Sequence, residues 1–133
     1  MPRPALSPGD FRFGPAMPET APLASPDDFR KLDIRVGVIR EARPLEGARK
    51  PAYALRIDLG PEFGERPSSA QITELYEPAE LVGRRVLCVV NFPPMRITGF
   101  CSEVLTLGVY TEAGVSLIAP DERGGPKPGD RLG

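Results

Sequence analysis

Three arginines and no carboxylate lie between Leu81 and Ser102. Arg84 and Arg85 precede a short apolar run. Arg96 follows a rigid Pro93-Pro94 pair, on a turn that also presents Asn91, Thr98 and Ser102. A guanidinium held on a stiff turn, with no acid nearby in sequence, suits an oxyanion such as a phosphate. The same stretch holds Phe92, Met95 and Ile97, and a methionine beside prolines suits an adaptable apolar contact. Other chemistries lack their residues. The chain has no histidine, which removes Ser-His-Asp and Cys-His nucleophiles and histidine metal sites. Ser68-Ser69 has no base partner and the scattered carboxylates form no acid/base pair, so the expectation is binding without catalysis, cofactor or metal.

Composition narrows the binding surface. Lys and Arg total 17 against 18 Asp and Glu, a formal net charge of −1. A general polyanion binder would be far more basic, so any such site has to be a local patch. The 133 residues suffice for one domain with one core. Cys88 and Cys101 both fall in apolar strand patterns and are expected as reduced core thiols. No apolar run approaches the ~20 residues of a membrane span, and Met1-Pro2-Arg3-Pro4 opens no signal-like segment. A cytoplasmic protein without membrane insertion is the expectation.

The elements that would position these residues are short. Residues 1–24 carry prolines at 2, 4, 8, 15, 18 and 22 without periodicity, which predicts a disordered arm, with Phe11 and Phe13 able to dock on the body. A domain is expected over 25–133. Ser25 as cap, Pro26 at the first helical position and Asp27-Asp28 at the positive end predict a helix from Pro26 to about Leu32. The strand Leu32–Ala42 shifts its apolar phase at Gly37, which predicts a bulge or sharp bend there, as where one strand serves both sheets of a small barrel. A basic loop follows over 43–51, then Tyr53–Leu59 with Tyr53, Leu55, Ile57 and Leu59 on one face. The polar strand Arg66–Ile72 sets Ser69, Gln71 and Thr73 on one face if it stays extended. A brief helix over Glu77–Gly83, the run Val86–Val90, a strand Phe100–Gly108, a hairpin turn at Tyr110–Gly114 and a last strand Val115–Ala119 complete the order, and Pro120–Gly133 closes the chain in turns. About six short strands with one small helix before the fourth describe a small β-barrel, and the position of that helix fits a five-stranded Greek-key barrel of the OB type.

Three segments carry a family resemblance. Leu32-Asp33-Ile34-Arg35-Val36-Gly37, Ser68-Ser69-Ala70-Gln71-Ile72 and Asn91-Phe92-Pro93-Pro94-Met95-Arg96-Ile97-Thr98-Gly99-Phe100-Cys101-Ser102-Glu103 resemble the signature blocks of the tRNA-binding OB-fold domain. That domain is attached to methionyl-tRNA synthetases and phenylalanyl-tRNA synthetase β chains, and also occurs as free-standing dimers. The Ser-Ser-Ala-Gln-Ile-Thr and Asn-Phe-Pro-Pro forms are similar to its free-standing CsaA-type subgroup. In the synthetase-type members the Asn-Pro block continues with lysines; here the position holds Pro93-Pro94-Met95, with Arg96 alone charged.

The resemblance implies an all-β OB fold with short helices and an extra C-terminal strand, a homodimer, and two ligand classes. One is tRNA or other structured RNA, bound by shape through cations for phosphates and polar groups for 2′-hydroxyls. Its candidates are Arg49, Lys50, Gln71, Thr73, Arg96 and Ser102. The other is unfolded or export-bound polypeptide, with Phe92, Pro94, Met95 and Ile97 as candidates for an exposed apolar surface. The alternative to a protein that does both is a dedicated polypeptide-binding chaperone with little or no RNA binding. Structural duties are expected for the rest: an Asp33–Arg35 pair, backbone geometry at Gly37 and Gly99, a loop-fastening role for Asn91 and a core position for Tyr53.

Overall fold

The computed structural model describes residues 19–133. Most of the proline-rich arm, Phe11 and Phe13 included, lies outside the described residues. Helix α1 (Pro26–Arg30) starts as its sequence dictates: the Ser25 hydroxyl accepts from Asp28 N at 3.3 Å, and the Asp28 carboxylate accepts from Ser25 N at 2.9 Å. This reciprocal box satisfies two orphan amides of a very short helix.

Strand β1 (Ile34–Pro44) is the axis of the fold. Its first half pairs with β4 (Arg85–Val89) and its second half with β2 (Tyr53–Asp58), which in turn pairs with β3 (Glu65–Ala70), all antiparallel. Two-residue β7 (Leu105–Thr106) adds to β4, giving the order β3-β2-β1-β4-β7. Helix α2 (Pro78–Leu81) crosses between β3 and β4 and buries Leu81 completely in the barrel.

The bulge lies at Arg40, where the register slips between Ile39 and Glu41, and not at Gly37 as the sequence pattern suggested. Gly37 and Ile39 face the barrel interior, and Ala42 is the next interior residue, three positions on. A spacing of three where alternation demands two is the mark of one extra residue. The apolar phase seemed to change earlier because both faces of β1 are apolar. Ile34 and Val36 face outward and join Leu87 and Val89 in a second cluster, whereas Ile39, Leu55, Ile57 and Cys88 fill the barrel. Gly37 serves close approach: a Cβ there would stand 2.5 Å from Ile57 Cγ2.

Strands β3 and β7 do not form a regular ladder, yet the barrel nearly closes between them. Glu103 N donates to the carbonyl of Pro67 at 2.9 Å. Fully buried Ser68 donates to Val104 O at 2.9 Å and lies 2.8 Å from the Thr106 hydroxyl. The Ser68 hydroxyl is thus a buried stitch in the seam. Ser68→Ala leaves the Thr106 hydroxyl with the Cys88 thiol alone and the Val104 carbonyl with the Ser102 hydroxyl alone and is expected to cost about 1 kcal/mol, measured as a lowered denaturant midpoint at unchanged slope; a midpoint equal to the parent's would refute the stitch.

Two hairpins leave the barrel. The sequence pattern predicts a proline turn through Met95–Thr98 and one strand over Phe100–Gly108. Instead β5 (Met95–Ile97) pairs with β6 (Phe100–Ser102), and Gly108 opens β8 (Gly108–Thr111), which pairs with β9 (Gly114–Leu117). The closing segment does more than turn. Gly129 N donates to Val36 O, Val36 N to Asp130 O and Leu132 N to Ile34 O, so residues 129–132 line the otherwise unpaired side of the first half of β1. Among the described residues no helix is long and apolar enough to cross a membrane.

Candidate nucleic-acid interface

The loop between β1 and β2 and the β5–β6 hairpin meet at their tips. Ile97 and Phe100 are paired, leaving Thr98-Gly99 as a two-residue turn with φ of +47° and +86°. Positive φ at both positions is the type I′ geometry that matches strand twist, and glycine suits its second place. The Thr98 hydroxyl reaches the Glu46 carbonyl at 3.3 Å, and a Cβ on Gly47 would lie 3.8 Å from Thr98 Cβ. The hairpin stem is fastened to the barrel at its other end, where Ser69 N donates to Ser102 Oγ at 3.0 Å. The loop bearing Arg49 and Lys50 and the hairpin bearing Arg96 therefore form one end of the molecule. In OB barrels, the loop between the first two strands and the loop after the fourth flank the ligand face.

Several other cations are spent on carboxylates, although Arg43, Arg85 and Lys127 are not. Arg40 is tied to Asp58 at 3.0 Å, Arg66 to Glu103 at 3.1 Å, and Arg56 lies between Glu41 and Glu65. Arg49, Lys50 and Arg96 are exposed and make no ion pair among the described residues. The positive stretch expected over 81–102 is not one surface. Arg84 and Arg85 sit at the start of β4 and Arg96 lies beyond its end; Arg84 is also spent on Glu80 at 3.8 Å and on the Tyr76 ring at 5.0 Å.

The remaining candidates divide. Gln71 is exposed and lines a cleft with Lys50, but β3 ends at Ala70, so Ser69, Gln71 and Thr73 do not form a strand face. Thr73 is half-buried beyond it. Ser102 is half-buried, and its hydroxyl, besides accepting from Ser69, lies 3.3 Å from the Val104 carbonyl. Phe92 is 44% and Met95 64% exposed, Pro93 and Pro94 are exposed, and Ile97 is half-buried. Strand alternation sets Arg96 on the face of β5 opposite to Met95 and Ile97.

Residues expected to be structural are so. Asp33 and Arg35 pair at 2.6 Å, and Arg35 also donates to the Gly129 carbonyl at 3.0 Å, fastening the closing segment; the Arg35 hydrogen bond holds the Asp33 carboxyl below its ordinary range. Asn91 Nδ2 donates to Lys31 O at 2.7 Å and its Oδ1 accepts from Asp33 N at 2.8 Å. Tyr53 is buried and donates to the Tyr76 carbonyl. Of the two free thiols, Cys88 is fully buried, whereas Cys101 is half-buried on β6 and not in the core. Tyr110, 91% exposed, was legible only as part of a turn; nothing in the sequence distinguishes an aromatic that projects from a hairpin from one that packs.

Residues 34–130 match the family described as "Putative tRNA binding domain". The chain belongs to this family. It is 38% identical over 106 residues to the methionine–tRNA ligase of Leptospira biflexa, a match covering 80% of this chain and 15% of the ligase. The chain thus spans about one-sixth of the length of the curated relatives it matches. Among solved structures it is similar to the CsaA chaperone protein of Picrophilus torridus, at 47% identity and a TM-score of 0.79 over 84% of this chain and 100% of that one. It is also similar to chaperone CsaA of Bacillus anthracis, at 43% identity and a TM-score of 0.76 over 84% of this chain and 99% of that one. The tRNA-binding, CsaA-type OB fold expected from the three sequence blocks is thereby established.

Proposed function

We propose that this chain binds structured RNA, chiefly tRNA, without catalysing a reaction on it. The observation that carries the reading is that the loop bearing Arg49 and Lys50 meets the hairpin bearing Arg96 at one end of the barrel, and none of the three makes an ion pair among the described residues. Three cations on two neighbouring loops can follow a phosphate backbone, while Gln71 offers an amide to 2′-hydroxyls. Ser102 holds the hairpin stem to the barrel through Ser69, and Thr73 is half-buried beyond β3. The family match and the kinship with methionine–tRNA ligases support the same reading.

A second activity rests on a separate observation. Phe92, Pro94 and Met95 are exposed beside half-buried Ile97, and the similar solved structures are of CsaA chaperones. We propose that this apolar surface holds unfolded or export-bound polypeptide, in the cytoplasm, and that the chain works as a homodimer.

Titration of the intact protein with total tRNA at several salt concentrations tests the first reading. Binding that weakens steeply as salt rises, with a slope set by the number of phosphates neutralised, is the expected outcome. No binding at the lowest salt would remove RNA and leave polypeptide as the ligand.

A further inference from the structure

We propose that the cleft beside the β8–β9 hairpin takes one unstacked nucleobase, with Tyr110 as its stacking platform. The proposal rests on the RNA reading above and narrows its ligand to RNA that offers a splayed-out base.

The chain has three tyrosines. Tyr53 is buried and hydrogen-bonded, and Tyr76 is half-buried with its hydroxyl accepting from Leu117 N at 2.9 Å. Tyr110 alone projects, 91% exposed. Its position gains nothing for the core, and an aromatic face held in solvent is what successive bases stack on in single-strand-binding barrels.

The backbone beneath the ring is fastened. In the turn that follows Tyr110, the Thr111 hydroxyl donates to Gly114 O at 2.6 Å and accepts from Ala113 N and Gly114 N, each at 3.2 Å. Gly114 lies so close to the segment after β3 that a Cβ would come within 2.9 Å of Glu74 Cβ. The backbone that carries the ring is thus already ordered, so stacking costs only the ring's own rotational freedom.

The cleft is open, about 420 Å³, and Lys50, Pro51, Gln71, Glu74 and Glu112 line it with Tyr110. Its charges are ordered for a nucleotide rather than for a phosphate alone. Lys50 supplies the one cation, at the loop already assigned to the RNA backbone. Glu74 and Glu112 would repel a phosphate, but their carboxylates accept from exocyclic amino groups, and the Gln71 amide can both donate and accept. A base bearing an amino group fits these walls better than uracil.

Tyr110→Trp places a single indole in a protein that has no tryptophan, so its fluorescence reports stacking directly. Short single-stranded oligoadenylate and oligouridylate, then total tRNA, are titrated into this variant. Saturable quenching is expected, at lower concentration for the adenylate, with Tyr110→Ala weakening tRNA binding about 5- to 150-fold and Tyr110→Phe retaining it. Steeply salt-dependent tRNA binding by the parent protein, with an unmoved indole spectrum and no loss in Tyr110→Ala, would overturn the stacking site and leave the RNA reading intact. Absence of tRNA binding by the parent protein would overturn both. A spectrum that follows protein concentration and ignores RNA would assign Tyr110 to contact between copies and overturn the proposal as well.

Discussion

Replacing Arg49, Lys50 and Arg96 together with alanine is expected to reduce tRNA affinity on the order of 100-fold near 0.1 M salt, and to flatten the dependence of log K on log salt by about 2–3. The argument is local. These side chains are exposed and make no ion pairs among the described residues, so their removal leaves no stranded partner and the fold should persist. Arg40, Arg56 and Arg66 are engaged by carboxylates and contribute less to any polyanion surface. The control is a variant of equal sign placed elsewhere. Arg85 and Lys127 also make no ion pair among the described residues, but Arg85 begins β4 and Lys127 lies in the closing segment. Binding should be nearly unchanged in Arg85→Ala/Lys127→Ala. Equal losses in the two variants would mean that net charge, and not the loop–hairpin patch, holds the RNA.

Stability should fall as pH rises above 9, by about 1.4 kcal/mol per pH unit from one group. Burial against the barrel core pushes the Cys88 thiol up to about 12 from an ordinary 9.0, with the Thr106 hydroxyl opposing that only in part. The sign follows from proton counting. Between these values the folded chain keeps a proton that the unfolded chain releases, so alkali favours unfolding; below 9 both states hold it and the contribution to stability is fully present. Desolvation raises Tyr53 too, and this adds a loss of the same sign. Cys88→Val retains an apolar side chain and removes the titration. Denaturant unfolding of both proteins at pH 8, 9.5 and 11 separates the terms: the parent should lose more stability with pH than the variant, and parallel losses would show that Cys88 takes no part.

The strands were legible wherever one face is buried and the other wet. Tyr53–Asp58 alternates because the barrel interior takes every second residue, and Val86–Val89 is continuous because clusters lie on both sides of β4. That second cluster also hid the bulge. With Val36 facing out and Ile39 facing in, the apolar pattern of β1 places the phase change at Gly37, and only the pairing with β2 locates it at Arg40. The β5–β6 hairpin escaped notice because three-residue strands carry too few alternations, and because Pro93-Pro94 masks the start of Met95. The candidate site was half legible. Arg96 stands out by its proline turn and its acid-free neighbourhood, but its meeting with the 45–52 loop depends on one Thr98–Glu46 contact between residues 52 apart. Ser102 and Ser69 look alike in sequence; a single bond between them decides that both hold the hairpin stem. Tyr110 carried no signal of its exposure.

The attachment of residues 129–132 to β1 bears on how the chain can be made. Arg35 holds Gly129 across 94 residues, and the backbone pairing runs from Ile34 to Leu132. A first strand whose neighbour on one side comes so much later in the chain stays open on that side until residues 129–132 have been made. Its unpaired amides and outward Ile34 and Val36 are then available to other chains, the condition under which nascent strands aggregate. Such long-range pairing also slows the search for the native state. A protein read as a holder of unfolded polypeptide thus passes through a stage at which its own central strand needs holding.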